Sequence, residues 1–127
     1  MMRLELPFPP STNTAYANVR GRRVKTKKAR EYAAAVHQRC TFAPWATVWE
    51  IKSEADDVGR LAVRLDLHPP TNHRRDVGNY EKLAVDAVFT YLGIDDSLID
   101  DLRIVRHAVE KPGRLVMTIT EIAGEAS

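Results

Sequence analysis

Between residues 60 and 92 the hydrophobic period changes once, and that change restricts the fold more than any other feature. Leu61, Val63, Leu65 and Leu67 alternate with Arg60, Arg64 and Asp66. Such alternation gives a β-strand one apolar and one polar face. Pro69-Pro70 ends the strand. From Asn79 to Leu92 the apolar spacing becomes three and four. Tyr80, Ala84, Ala87, Val88 and Tyr91 form a helical stripe that Leu83 and Leu92 widen. Gly93 is placed to stop this helix in left-handed geometry. Strand and helix each hide one face, so the core is shared between a sheet and helices packed on it.

The flanking segments extend this pattern. Residues 2–8 alternate as a half-buried strand, ended by Pro9-Pro10-Ser11. Residues 11–24 read as a loop with Gly21 at a turn. Lys27 to Cys40 reads as a helix with Ala29, Ala33, Val36 and Cys40 on one face and Thr26 as its cap. Pro44 breaks that helix, and Trp45 and Trp49 sit on a short helix or under a loop. Asp95 to Ile99 makes one short turn. Residues 102–109 and 114–122 alternate as strands, with Lys111-Pro112-Gly113 read as a hairpin connection. The expected fold is α+β: a small mixed β-sheet with two main helices packed on one face. With 127 residues and no evident linker, it is read as a single domain, 1–127.

Charge is unevenly spread. Residues 20–39 hold eight cations (Arg20, Arg22, Arg23, Lys25, Lys27, Lys28, Arg30 and Arg39) against Glu31 alone. Residues 81–127 hold five Lys or Arg against nine Asp or Glu. One surface for a polyanion and another for a metal would produce this asymmetry, as would a solvated basic loop and helix. The single cysteine, Cys40, excludes an intramolecular disulfide, fits a cytoplasmic setting and reads as a small core residue. The apolar runs are too short for a membrane span, and the N-terminus does not read as a signal peptide. HExxH, GxxxxGK[ST] and GxGxxG are missing. His37, His68, His73 and His107 lack metal spacing and read as surface or phosphate-side residues. Ser11, Ser53, Ser97 and Ser127 lack a nucleophile-elbow context.

The stretch from His73 to Lys82, followed by Asp95-Asp96, combines the groups that phosphodiester cleavage needs. Asn79, Lys82 and Asp86 share a helical face. Asp76 lies just ahead of the first turn, where the helix dipole also favours an acid. Lys82 and Asp86 read either as a surface ion pair or as part of a site. Adjacent aspartates at 95 and 96 repel unless solvated or bound to a cation, whereas Asp100 and Asp101 read as soluble loop. Oxygen ligands suit Mg²⁺, with Mn²⁺ an alternative. Lys82 would then stabilise the pentacovalent transition state or help protonate the leaving oxygen. Arg74, Arg75 and the 20–30 cluster would hold the DNA backbone. The helix between Asp76 and Asp96 spans about 20 Å, so the chain must fold back for them to meet.

At these residues the chain resembles the RusA family of Holliday-junction resolvases. Leu6-Pro7-Phe8-Pro9-Pro10-Ser11-Thr12-Asn13 is similar to the family's opening Pro-Pro-Ser-x-Asn. The likeness continues through Arg20-Gly21-Arg22 and is strongest at Arg74 to Lys82, Asp86-Ala87 and Asp95-Asp96-Ser97. Gly113-Arg114-Leu115 to Thr118-Ile119-Thr120-Glu121 also fits as a closing hairpin. The resemblance implies a homodimer that binds four-way or branched DNA and makes paired, Mg²⁺-dependent cuts in recombination and repair. By position, Asp76 and Asp96 are implied metal-binding carboxylates and Lys82 the catalytic lysine. Phe89 lies near the junction-contacting helix, with no wedge role assigned. Where the best-known members carry a second aspartate, this chain has Gly78, either as a helix cap or as a lost ligand. Either Asp86 or Asp95 would supply the missing oxygens, or the site holds fewer protein ligands, or the alternative holds: a protein that binds junctions without cutting them.

Overall fold

A computed structural model describes residues 2–42 and 59–122. Strand β1 is Met2–Pro7. A single helical turn, α1 (Thr12–Ala15), leads into a ribbon of β2 (Tyr16–Val19) and β3 (Arg22–Lys25). Helix α2 is Lys27–Thr41, strand β4 is Arg60–His68 and helix α3 is Glu81–Leu92. Strands β5 (Ile99–Arg106) and β6 (Arg114–Ile122) complete the fold.

The main sheet has the order β1-β6-β4-β5. β6 pairs antiparallel with both β1 and β4, and β5 runs parallel to β4. A parallel neighbour requires a crossover, which α3 supplies. The α+β expectation holds: a mixed sheet with the helices against its apolar face. Leu61, Val63, Leu65 and Leu67 are buried together with Leu83, Ala84, Val88 and Leu92 of α3 and Ala29, Tyr32, Val36 and Cys40 of α2. Tyr32 belongs to that face although Ala-rich spacing alone did not single it out. Its hydroxyl donates to the Pro7 carbonyl (2.8 Å), which gives the buried phenol a partner. Burial pushes the Cys40 thiol up to about 11, as suits a packed, unreactive cysteine.

Three expectations are corrected. Residues 11–24 are not a loop but α1 and the β2–β3 ribbon. Its two-residue turn has positive φ at both Arg20 (52°) and Gly21 (77°), the geometry that matches strand twist in a tight hairpin. Next, β5 and β6 do not form a hairpin. After the crossover β5 lies on one edge of β4, and β6 occupies the other. The connection instead crosses the end of β4, where the His107 amide donates to the Leu67 carbonyl at 2.8 Å. Third, Asp100 and Asp101 are in β5, not in a loop. Arg60 holds Asp100 at 2.6 Å, and that hydrogen bond keeps the Asp100 carboxyl below the usual range. The reading of Pro44, Trp45 and Trp49 lies outside the described residues.

Gly93 adopts left-handed backbone (φ 69°) and closes α3 with hydrogen bonds to the Phe89 and Thr90 carbonyls. Thr26 caps α2, accepting from the Ala29 amide at 3.4 Å. No helix among the described residues is long and apolar enough to cross a membrane.

Candidate active site

The parallel crossover meets part of what the sequence required: it brings Asp96 to a cavity that Lys82 and Asp86 also line, and Asp76 is not among the lining residues. β5 returns beside the first half of α3, so residues distant in the chain share one cavity. That cavity, about 310 Å³, is lined by Glu81, Lys82, Val85 and Asp86 of α3 and by Asp96, Ile99 and Leu102. An adjoining cavity of about 510 Å³ is lined by Lys25, Asp86 and Phe89 together with Ile94, Asp95 and Asp96. Asp86 and Asp96 belong to both.

Lys82 Nζ lies 3.5 Å from Asp86 Oδ2. The pair is one turn apart on α3, so helical geometry alone accounts for the contact. Its placement beside Asp96 comes from the tertiary fold. Asp96 opens the short turn Asp96–Leu98, and Asp95 caps that turn by accepting from the Ser97 amide at 2.9 Å. This hydrogen bond holds the Asp95 carboxyl below its ordinary range. Asp95 thus caps the turn through one carboxylate oxygen, and both Asp95 and Asp96 are exposed and line the larger cavity.

Glu81 was missed by the sequence reading. Burial raises its pKa, Lys82 offsets part of that and the Asp86 charge adds to it. The available signal was its position, one residue before Lys82 at the first turn of α3.

Asp76 is placed differently. It precedes a 3₁₀ turn, Val77–Asn79, is exposed and does not line the cavity with Asp96. Among the described residues, no three His, Cys, Asp or Glu side chains converge closely enough to hold a metal on their own. Gly78 lies inside the 3₁₀ turn, not at a cap, since Tyr80 is the N-cap of α3. A Cβ at Gly78 would meet nothing within 4 Å.

The basic residues divide into two sets. Arg75 is a loop clamp, donating to the Thr71 carbonyl (2.7 Å) and hydroxyl (2.6 Å), whereas Arg74 is exposed. Arg30 is tied to the Lys25 carbonyl at 2.7 Å, and Lys27 pairs with Glu31. Arg20, Arg22, Arg23 and Lys25 project from the exposed ribbon, and Lys28 is exposed on α2. Phe89 is buried, which agrees with assigning it no wedge role.

His73 is exposed, as expected, whereas His37, His68 and His107 make specific side-chain contacts. His37 Nε2 reaches the Ala87 carbonyl (3.1 Å), joining α2 to α3. His68 and His107 stack at 4.7 Å, and His107 lies 2.7 Å from Asp66. No role in cleavage follows from this position away from the cavity.

The family model for endodeoxyribonuclease RusA matches residues 7–120. A curated relative from Escherichia coli (strain K12), the crossover junction endodeoxyribonuclease RusA, is 35% identical over 96% of this chain and 96% of its own. The relative of the same name from Shigella sonnei is also 35% identical over the same shares. The crossover junction endodeoxyribonuclease of Enterobacteria phage 82 is 34% identical, again over 96% of each chain.

Proposed function

Because this chain belongs to the RusA family of endodeoxyribonucleases, we propose that it resolves four-way DNA junctions, as a homodimer, by paired Mg²⁺-dependent cuts. The observation that carries the reading is the joint lining of one cavity by Lys82, Asp86 and Asp96. Two carboxylates with open space beside them suit Mg²⁺, which is held by one or two protein oxygens, water and substrate phosphate. Asp86 and Asp96 would hold it, and Asp76 is assigned to it by resemblance. Bound there, a divalent ion would supply activation of a water and neutralisation of phosphate charge.

The protein's own contributions follow from the side chains. Lys82 lies where negative charge grows on the phosphate, and its ammonium stabilises that charge or protonates the leaving oxygen. Asp86 holds the lysine in place until the phosphate competes for it. The exposed cations of the ribbon, with Lys28 and Arg74, hold the DNA backbone electrostatically.

Paired cuts need two sites related by a two-fold axis. β5 is an edge strand of the described sheet, and Leu102 on it is 41% exposed beside the cavity. In an antiparallel pairing of two β5 strands centred on Leu102, Asp101 of each copy would face Arg103 of the other. β5 in that register is the dimer surface proposed.

Incubation of a labelled four-way junction with and without Mg²⁺, against linear duplex, tests the reading. Symmetric nicks only on the junction and only with metal are expected. Asp96→Asn and Asp76→Asn should remove cleavage while keeping junction affinity. Persistent binding with no nick at any Mg²⁺ or Mn²⁺ concentration would overturn it. Sedimentation should give a dimer that Leu102→Lys converts to monomer.

A further inference from the structure

The β2–β3 ribbon encloses a second groove, of about 300 Å³, lined by Thr12, Asn13, Tyr16, Ala17, Asn18 and Arg23. We propose that this groove receives one nucleobase of the strand being cut and thereby sets the sequence preference of cleavage. The inference rests on the functional reading above and extends it to substrate selection.

The groove has the parts a base needs. The Arg23 guanidinium lies 4.3 Å from the Tyr16 ring centroid, forming a flat cationic platform. Bases stack on guanidinium and aromatic planes regardless of identity, so the platform supplies binding without choice. Choice requires donors and acceptors at a base edge, and a side-chain amide offers one of each. Asn13 and Asn18 both line the groove, and neither amide has a hydrogen-bond partner among the described residues. Both are exposed, so their amides are hydrated and free to exchange water for a base edge.

Strand register ties this groove to the cavity where cutting is proposed. Asn18 lies opposite Arg23, and Tyr16 opposite Lys25. With a side-chain period of two, Tyr16, Asn18, Arg23 and Lys25 share one face of the ribbon. Lys25 in turn lines the adjoining cavity, which shares Asp86 and Asp96 with the one where cutting is proposed. Two residues along a strand advance about 7 Å, which is about two nucleotide steps along one DNA strand. A phosphate at Lys25 and Asp96 therefore leaves a base within about two nucleotides of the cut facing Asn18 and Arg23. The base of the ribbon is fixed for this task. Thr12 Oγ1 donates to the Asn79 carbonyl at 2.8 Å, and Thr26 Oγ1 to the Thr14 carbonyl at 2.8 Å.

The test uses the full chain and a set of four-way junctions that carry each base at the two positions on either side of the cut. At one position, the wild type should cut the best base at least about tenfold faster than the worst, within the range of a good amide–base contact. Asn18→Ala and Asn13→Ala should flatten that ratio to near unity while the thermal midpoint stays close to wild type. A junction with 2-aminopurine at that position should change fluorescence when bound by wild type, and change less with Asn18→Ala. A preference that survives in the double variant, or equal slowing on every base, would overturn the proposal. If wild type cuts no junction, the cleavage reading fails separately. The 2-aminopurine signal then decides the groove, its absence overturning the inference.

Discussion

The α3–β5 cavity and the β2–β3 ribbon both carry charge, yet they are held in opposite ways. Around the cavity, Val85, Phe89 and Leu83 are buried, and the acidic side chains project from elements already fixed by the core. The ribbon has no buried residue of its own. Val19 and Val24 on it are 51% and 40% exposed, and its cations face solvent. Chemistry that demands placement to a fraction of an ångström sits on the rigid part. Recognition of a shaped polyanion, where each contact is worth little and many add up, sits on the part that a ligand can adjust.

Changes that separate placement from attraction test this contrast. The largest effect is expected at Lys82. Lys82→Ala should slow junction cleavage by about 10²–10³-fold, the usual cost of removing one transition-state interaction. Thermal stability should shift by no more than about 0.5 kcal/mol, since the Lys82–Asp86 pair is largely solvent-screened. If the cleavage loss merely tracks the thermal midpoint, the ion pair is structural and the cavity is not the site.

A smaller effect is expected on the ribbon. Arg20→Ala and Arg22→Ala should each weaken junction binding. Each should also lower the slope of log affinity against log salt by about 1 for a phosphate that the guanidinium no longer neutralises. The cleavage rate at saturating enzyme should change little. A slope unaffected by both would make the ribbon a solvated surface.

Smaller again is the response at Gly78. The space above it is open, so Gly78→Asp should fold normally. If Asp76 shares a metal with a neighbour, the variant should cut at lower Mg²⁺ concentration. An unchanged Mg²⁺ requirement would separate this turn from the metal.

The smallest effect concerns pH. Burial raises the pKa of Glu81, so ionisation costs the folded state more than the unfolded one. That penalty is absent at low pH and grows as pH rises through the folded pKa. Glu81→Gln should therefore gain about a few tenths of a kcal/mol at pH 7 and nothing at pH 4, given how exposed the group remains. Urea midpoints at the two pH values measure it, and a gain that is equal at both would contradict the assignment.

Legibility in the sequence followed how local each interaction is. The α3 stripe, the Gly93 stop, the Thr26 cap and the β4 alternation all depend on residues within a few positions of each other, and each was readable. The ribbon was not read because its turn is Arg20-Gly21 without an asparagine or aspartate, β2 is short with no clear apolar alternation, and β3 is mostly basic. Local periodicity could not show that β6 lies between β1 and β4, since pairing depends on competition for strand edges across the whole chain. Lys82 and Asp86 were visible as a helical pair, whereas the arrival of Asp96 beside them was a condition the sequence could only state. Glu81 and Leu102 gained meaning from burial and edge position, and neither has a spacing signature.

The sequence by itself determined which residue types are present for cleavage and where the main-sheet strands and the two long helices lie, though not the β2–β3 ribbon, because backbone preference and side-chain period act over a few residues. Only the tertiary structure decided which acids share a cavity with Lys82, and that Asp76 is not among those lining it. A parallel crossover through residues 69–98 returns the chain to the sheet, and the depth of that return is set by packing of Leu83, Val88 and Leu92 in the core.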